Sequence, residues 1–401
     1  MLIFSLCLNS LYAGNWPAWR GEDATGSTDS GNYPTELNLK KNLLWKASLP
    51  DKGCSTPIVW QDSIFLTCPI NGEDGVLSFS LNGGKNWQTK MGPQLKGKHL
   101  NGSGSNPSLI TDGRNLYALF KSGNLACLNR GGEILWQKDL SSYGKDTLYW
   151  DFGTSPILSS KHVIVALMRK GNSWLLAFDP SSGEVAWKKE RNYPTPPECD
   201  HSYATPTLIK HKGKEAILVW GAERLSAHSA EDGEMHWVST GFNPKQKKNW
   251  VVVGSQVVAG DIAIVPYGRG THLAGIRMGG KGDVTETHRL WTRADTGCFV
   301  PSPAVSDGKV YILRDRGAVH CIDPKTGKSE WEDAFPRASS SYYGSPTIAG
   351  TKLYAPREDG VILIADISTG FKYLGKYDMG ERVIASPVPV NDRILIRGEK
   401  N

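Results

Sequence analysis

A glycine followed four residues later by a tryptophan recurs along this chain: Gly83 and Trp87, Gly132 and Trp136, Gly183 and Trp187, Gly233 and Trp237, Gly327 and Trp331. Gly370 and Leu374 form a further copy, and Trp291 ends a similar segment in which Thr287 holds the glycine position. A tight hairpin needs positive φ, which glycine adopts at little steric cost. The indole on the outgoing strand is large enough to fill the gap between two packed sheets. Asp179, Asp323 and Asp366 stand four residues before their glycines, where a carboxylate can accept from the turn amides. Each copy therefore reads strand, turn, strand.

A second mark precedes every hairpin. Ser or Thr (once Asn) followed by Pro opens an apolar run at Pro57, Pro107, Pro156, Pro206, Pro303, Pro346 and Pro387, and Gly254-Ser-Gln-Val stands where an eighth copy belongs. Proline suits the first residue of a strand because no ladder donor is lost there. A period of about 40–50 residues with four short strands is that of propeller blades. The expected fold is all-β: an eight-bladed β-propeller over 42–401 with four-stranded antiparallel blades. Seven blades are internal. The eighth joins the two strands after Pro387 to Asn-Leu-Leu-Trp-Lys-Ala-Ser-Leu at 42–49, so that an N-terminal strand containing Trp45 closes the ring and removes the open edges.

These hairpins resemble the pyrroloquinoline-quinone-like repeat, roughly Ala-x-Asp-x-x-Thr-Gly-Lys-x-x-Trp, over about residues 42–401. The clearest copies are Ala-Phe-Asp-Pro-Ser-Ser-Gly-Glu-Val-Ala-Trp, ending at Trp187, and Cys-Ile-Asp-Pro-Lys-Thr-Gly-Lys-Ser-Glu-Trp, ending at Trp331. The opening Trp-Pro-Ala-Trp-Arg-Gly at 16–21 is similar to secreted propellers of planctomycete and verrucomicrobial type. The resemblance implies the fold, shared by the propeller subunit of the outer-membrane barrel-assembly machinery and by quinoprotein alcohol dehydrogenases, and leaves function open.

Two functions compete on that fold. The family's quinone enzymes imply a vicinal cysteine pair and a calcium site of acidic oxygens. Here Cys7, Cys54, Cys68, Cys127, Cys199, Cys298 and Cys321 are all isolated, and no Cys-x-x-Cys-His haem attachment or His-Glu-x-x-His motif is present. Asp200 and His201 have the residue types of an orienter and base, but a satisfied loop histidine is the commoner outcome. The expectation is a non-catalytic binding or scaffold module with no cofactor and no metal. A quinone-dependent dehydrogenase, with pyrroloquinoline quinone carried only by resemblance, and a glycan-binding propeller are the alternatives.

The loops before the Ser/Thr-Pro strands reach one face of the propeller. They carry Trp150, Asp151, Phe152, Asp200, His201, Tyr203, Trp250, Phe299, Tyr342 and Tyr343. Tyrosine and tryptophan in loops on a rigid scaffold favour recognition, so these residues form the expected face for a protein or peptide partner, or a glycan.

A net charge of +6 with no long basic run gives no footprint for nucleic acid. No stretch has the length of a membrane span. The apolar start at 1–13, with small residues up to Ala13, resembles the later part of a signal peptide. Export to the periplasm or medium is therefore expected, with 14–41 an arm lying along the surface of a monomeric propeller, held by Trp16 and Trp19. Even cysteine numbers after Cys7 keep disulfides among Cys54, Cys199 and Cys298 open. Cys127 and Cys321 share a repeat slot with Ala177 and Ala227, which marks them as buried thiols.

Overall fold

Each repeat folds into one sheet, and the sheets follow one another in chain order. The structure, a computed structural model, describes residues 14–29 and 31–401. The expected signal peptide at 1–13 lies outside the described residues. Seven four-stranded antiparallel meanders span 58–93, 110–139, 157–190, 207–239, 257–293, 304–334 and 347–378. An eighth sheet has two strands, Val388–Val390 and Arg393–Leu395. The chain is a β-propeller.

The Gly–Trp spacing clasps neighbouring sheets. Gly83, Gly132, Gly183, Gly233 and Gly327 all have positive φ. Each lies flat against the tryptophan one repeat earlier in the chain: a Cβ at Gly132 would meet Trp87 at 2.6 Å, and one at Gly183 would meet Trp136 at 2.6 Å. The indole N–H donates to a turn carbonyl of the same hairpin, as from Trp87 to Arg130 (3.0 Å), Trp136 to Pro180 (2.9 Å), Trp187 to Ala230 (3.2 Å) and Trp291 to Pro324 (2.8 Å). So glycine is needed twice, for its φ and for the close approach of the ring.

Two copies depart from this pattern. Trp237 is fully buried, but the hairpin after it lacks the glycine. The insertion at Gly282–Asp283 instead pairs in parallel with Trp237 and Val238, and a single helical turn, Thr285–His288, follows. Trp331 is half-buried, as Trp87 and Trp291 are, but it has no glycine of the next hairpin against its ring. The turn at Gly370 stands clear of it, and Phe371 supplies a ring at 6.0 Å instead.

The Ser/Thr-Pro marks have a second role. Except at Asn106 in the second sheet, the hydroxyl at each mark accepts a backbone N–H from the sheet before it: Ser108 to Ser155 (3.0 Å), Ser155 to Thr205 (3.0 Å), Thr205 to Ser255 (2.9 Å), Ser255 to Ser302 (2.9 Å), Ser302 to Ser345 (2.9 Å) and Ser345 to Ser386 (3.1 Å). Ser386 N then donates to Thr56 Oγ1 at 3.1 Å, across 330 positions of sequence. A ring of hydroxyls thus encircles the axis and ties the last sheet to the first.

The eighth sheet corrects the expectation of a four-stranded closing blade. Residues 42–49 form no strand, and Leu49 N makes a single backbone bond, to Lys400 O at 2.8 Å. Without a neighbouring third strand, this segment has no ladder to join. Trp45 still clasps the first sheet, packing on Gly83 and donating to Leu81 O at 2.9 Å.

The arm also departs from expectation in part. Its first part, 16–28, runs against the inner strands at one end of the central channel, while 31–41 lies on the outside as expected, with Leu39 40% exposed. Trp16 bridges to Val59 of the first sheet, Thr111 N of the second donates to Pro17 O, Val305 N of the sixth donates to Thr25 O, and Ser27–Thr28 adds a parallel strand to the seventh. Between these points Arg20 is buried, its guanidinium donating to Pro346 O (2.5 Å) and Pro303 O (2.7 Å). Burial of apolar surface and unpaired inner-strand amides both favour this path.

Candidate functional site

With one end of the channel filled by the arm, the other end is a blind pocket of about 340 Å³ on the propeller axis. Trp19 lies between this pocket and a smaller one lined by the arm from Ala18 to Ala24. The hydroxyl ring lines the axial pocket, with Asn106 and Ser108 from the second sheet. Toward the loop face its walls are His99, Asn101, Trp150, Asp151, Tyr203, Arg269, Phe299 and Tyr343.

Five of the ten residues expected on the recognition face meet in this pocket: Trp150, Asp151, Tyr203, Phe299 and Tyr343. Trp150 is 44% exposed and packs edge-on against His99 at 4.7 Å. Tyr203 is buried, and its hydroxyl accepts from Trp150 N at 3.0 Å, so it positions that loop. Asp151 is buried and fully committed. Lys121 Nζ donates to it at 2.5 Å, and the amides of Lys98 and His99 donate at 2.7–3.0 Å. Lys121 Nζ also reaches Lys96 O at 2.7 Å. This internal ion pair fastens the loop at 96–102.

The other five lie elsewhere. Phe152 sits in the core between the second and third sheets. His201 is buried against Tyr149 at 5.1 Å. Burial pulls its pKa down, and Asp200 stands at 3.9 Å, beyond a hydrogen bond. Those two residues therefore do not form a base with its orienter. Trp250 packs on Tyr267 and His272 outside the pocket, with Lys247 Nζ 5.1 Å above its ring. Tyr342 is buried beside Phe335, and burial pushes its phenol up to about 12.

Arg269 is a pocket residue with no mark in the sequence, while Trp19 and the ring hydroxyls, expected as an arm anchor and as strand starts, line the pocket as well. Arg269 is exposed, its guanidinium over the Phe299 ring at 4.4 Å, and one N–H donates to Asn249 O at 3.2 Å. Beside the mouth, Asn101, Glu358 and Arg382 form a polar cluster, with Asn101 Nδ2 donating to Glu358 at 2.8 Å.

Asp151 is the one carboxylate lining the pocket, and among the described residues no group of three or more His, Cys, Asp and Glu is placed to hold a metal ion. The six cysteines in the described residues are buried free thiols, and of these only Cys54 lines the pocket. Burial pushes the Cys54 thiol up to about 11.

The fold and its hairpins define a propeller of pyrroloquinoline-quinone-like repeats. A family model described as outer membrane protein assembly factor BamB matches residues 35–205 and 283–373. That is more than half of the chain, and the chain belongs to this family. A search of curated proteins found no match. Among solved structures, BamB from Moraxella catarrhalis is similar at 16% identity and TM-score 0.60, covering 86% of this chain and 91% of that one. Quinohemoprotein alcohol dehydrogenase from Comamonas testosteroni is similar at 13% identity and TM-score 0.71, covering 97% and 77%. A europium-containing methanol dehydrogenase is similar at 13% identity and TM-score 0.70, covering 94% and 87%. Such low identities establish the shared fold alone.

Proposed function

We propose that this protein is a non-catalytic exported propeller that holds a protein or peptide partner on its loop face. The observation that carries the reading is the state of the pocket walls. The one carboxylate there is locked in a buried ion pair with Lys121, while Tyr149 and Trp150 project at 64% and 44% exposure. Exposed aromatics on a rigid frame whose one wall carboxylate is neutralised, and whose wall imidazole, His99, accepts from Asn101 N at 3.1 Å, suit recognition better than proton transfer. The family and the likeness to BamB support a binding role. The apolar start at 1–13 supports export, and among the described residues no helix is long and apolar enough to cross a membrane.

The test is capture from a periplasmic extract. Changing Tyr149, Trp150 and Tyr343 together to Ala should abolish capture of the partner held by the wild type and leave the melting temperature nearly unchanged. Tyr203 is left alone because it is a buried support. Capture that survives the triple change moves the recognition face elsewhere.

The quinone-enzyme alternative draws support from the position of the pocket on the axis of a dehydrogenase-like propeller. Its donor set does not fit, because the residues at the pocket offer calcium no free carboxylate and the quinone no vicinal cysteines. Added pyrroloquinoline quinone with Ca²⁺ should therefore give no alcohol-dependent dye reduction. Turnover that needs both additions would reverse the reading.

A further inference from the structure

The seven ring hydroxyls each accept an amide hydrogen, and none has an acceptor for its own hydrogen among the described residues. All of them line the axial pocket. An O–H is both donor and acceptor, so the pocket floor offers a circle of donors with fixed oxygens. Its charge is one-sided. Arg269 is a wall cation whose contacts among the described residues are the Phe299 ring and Asn249 O rather than a carboxylate, while Asp151 is neutralised by Lys121. Below the floor, Arg20 is a second cation with no carboxylate beside it, and its Nε has no hydrogen-bond partner. The upper walls are aromatic faces. A cavity of this size lies at the lower end of small-ligand sites.

A ligand complementary to all of these features is a compact ring that carries several hydroxyls and one carboxylate. A small inorganic anion would leave most of the hydroxyl circle unused, because the donors are spread around the axis. A neutral sugar would leave the cations unanswered. A purely apolar ring would strand the donors at a cost. We propose that the axial pocket binds an acidic sugar of the hexuronate class. Its carboxylate pairs with Arg269, its hydroxyls meet the ring hydroxyls, and its C–H face lies against Trp150 and Tyr343. This site shares Trp150 and Tyr343 with the proposed recognition face, but it needs no partner and can be tested on the purified protein alone.

The probes are glucuronate and galacturonate, with glucose, sulfate and pyrroloquinoline quinone as comparators, measured by calorimetry and by the fluorescence of Trp19 and Trp150. Glucuronate or galacturonate should bind at least about tenfold more tightly than glucose, the usual return on one charge-assisted contact. Arg269→Gln, on an exposed side chain, should erase that preference without changing the melting temperature. Trp150→Ala should weaken sugar binding with or without the carboxylate. Equal affinity for glucose and the uronates, a preference that survives Arg269→Gln, or sulfate binding as tightly as the uronates would each overturn the proposal. Pyrroloquinoline quinone displacing bound uronate while binding far more tightly would overturn the ligand class as well.

Discussion

The third sheet and the eighth solve the same problem with different means. The third, at 157–190, has four laddered strands, and its Trp187 is buried against the turn of the fourth sheet. The eighth has two strands and borrows the rest. Trp45 reaches over from an unladdered segment, Ser386 N bonds to Thr56, and Arg397 NH1 donates to Ser55 O at 2.8 Å. Arg397 is buried, with Nε and one terminal nitrogen unpartnered. The ring therefore closes through side chains at the one seam where backbone pairing is incomplete. Burying a guanidinium without a carboxylate is costly, which indicates how much of the closure falls on that contact.

The largest expected effect separates the two clasps. Trp187→Ala removes a buried aromatic and should cost roughly 3–5 kcal/mol in a denaturant titration. Trp45→Ala removes a ring that is already partly exposed, and should cost about half as much or less, since less area leaves water there. Equal costs would mean that the seam is packed as tightly as any other junction. A smaller effect is expected at the arginine. Arg397→Ala removes the donor to Ser55 and opens a hole between the eighth and first sheets, for a loss of about 2 kcal/mol. If the variant melts like the wild type, the hydroxyl ring alone holds the closure.

The seam also marks where the sequence stops being readable. The Gly–Trp spacing is legible because both residues act within one hairpin or the next, for reasons of φ and ring size. The Ser/Thr-Pro mark was half legible. Proline explains the strand start, but the hydroxyl acts on an amide in the previous repeat, so its role needs the ring. The arm's anchor Trp16 was legible but its path was not, because Arg20 bonds to Pro303 and Pro346 at separations of 283 and 326 residues, and no local pattern announces such contacts. At the site, aromatic loop residues were the right type, yet burial divided them. Trp150 and Tyr343 reach the pocket, while Phe152, His201 and Tyr342 are packed inside. Arg269 carried no signal because a single loop arginine is ordinary until its neighbours are known.

The smallest expected effect concerns acid, and it sets the first sheet against the fourth. His228 is buried in the fourth sheet, its ring bonded to Gly233 O (3.1 Å) and Ser226 Oγ (2.9 Å). Burial first, and the nearby Arg191 cation next, hold its pKa down to about 3. The unfolded chain takes up that proton near pH 6.5, so this histidine costs stability progressively as pH falls from about 6.5 toward 3. Asp74 in the first sheet does the opposite. Burial pushes its carboxyl up to about 6, against the pull of bonds from Ser122 and Asn124. Between pH 6 and about 4 the folded protein takes up the proton that the unfolded chain does not, so acidification there favours the fold. The two groups partly cancel in that window. Asp74→Asn removes the favourable half, so its urea midpoint should fall more steeply than that of the wild type between pH 7 and pH 4.5. Parallel pH profiles for the two proteins would show that Asp74 ionises in the folded state as it does in the open chain, and that the first sheet does not oppose the fourth in acid.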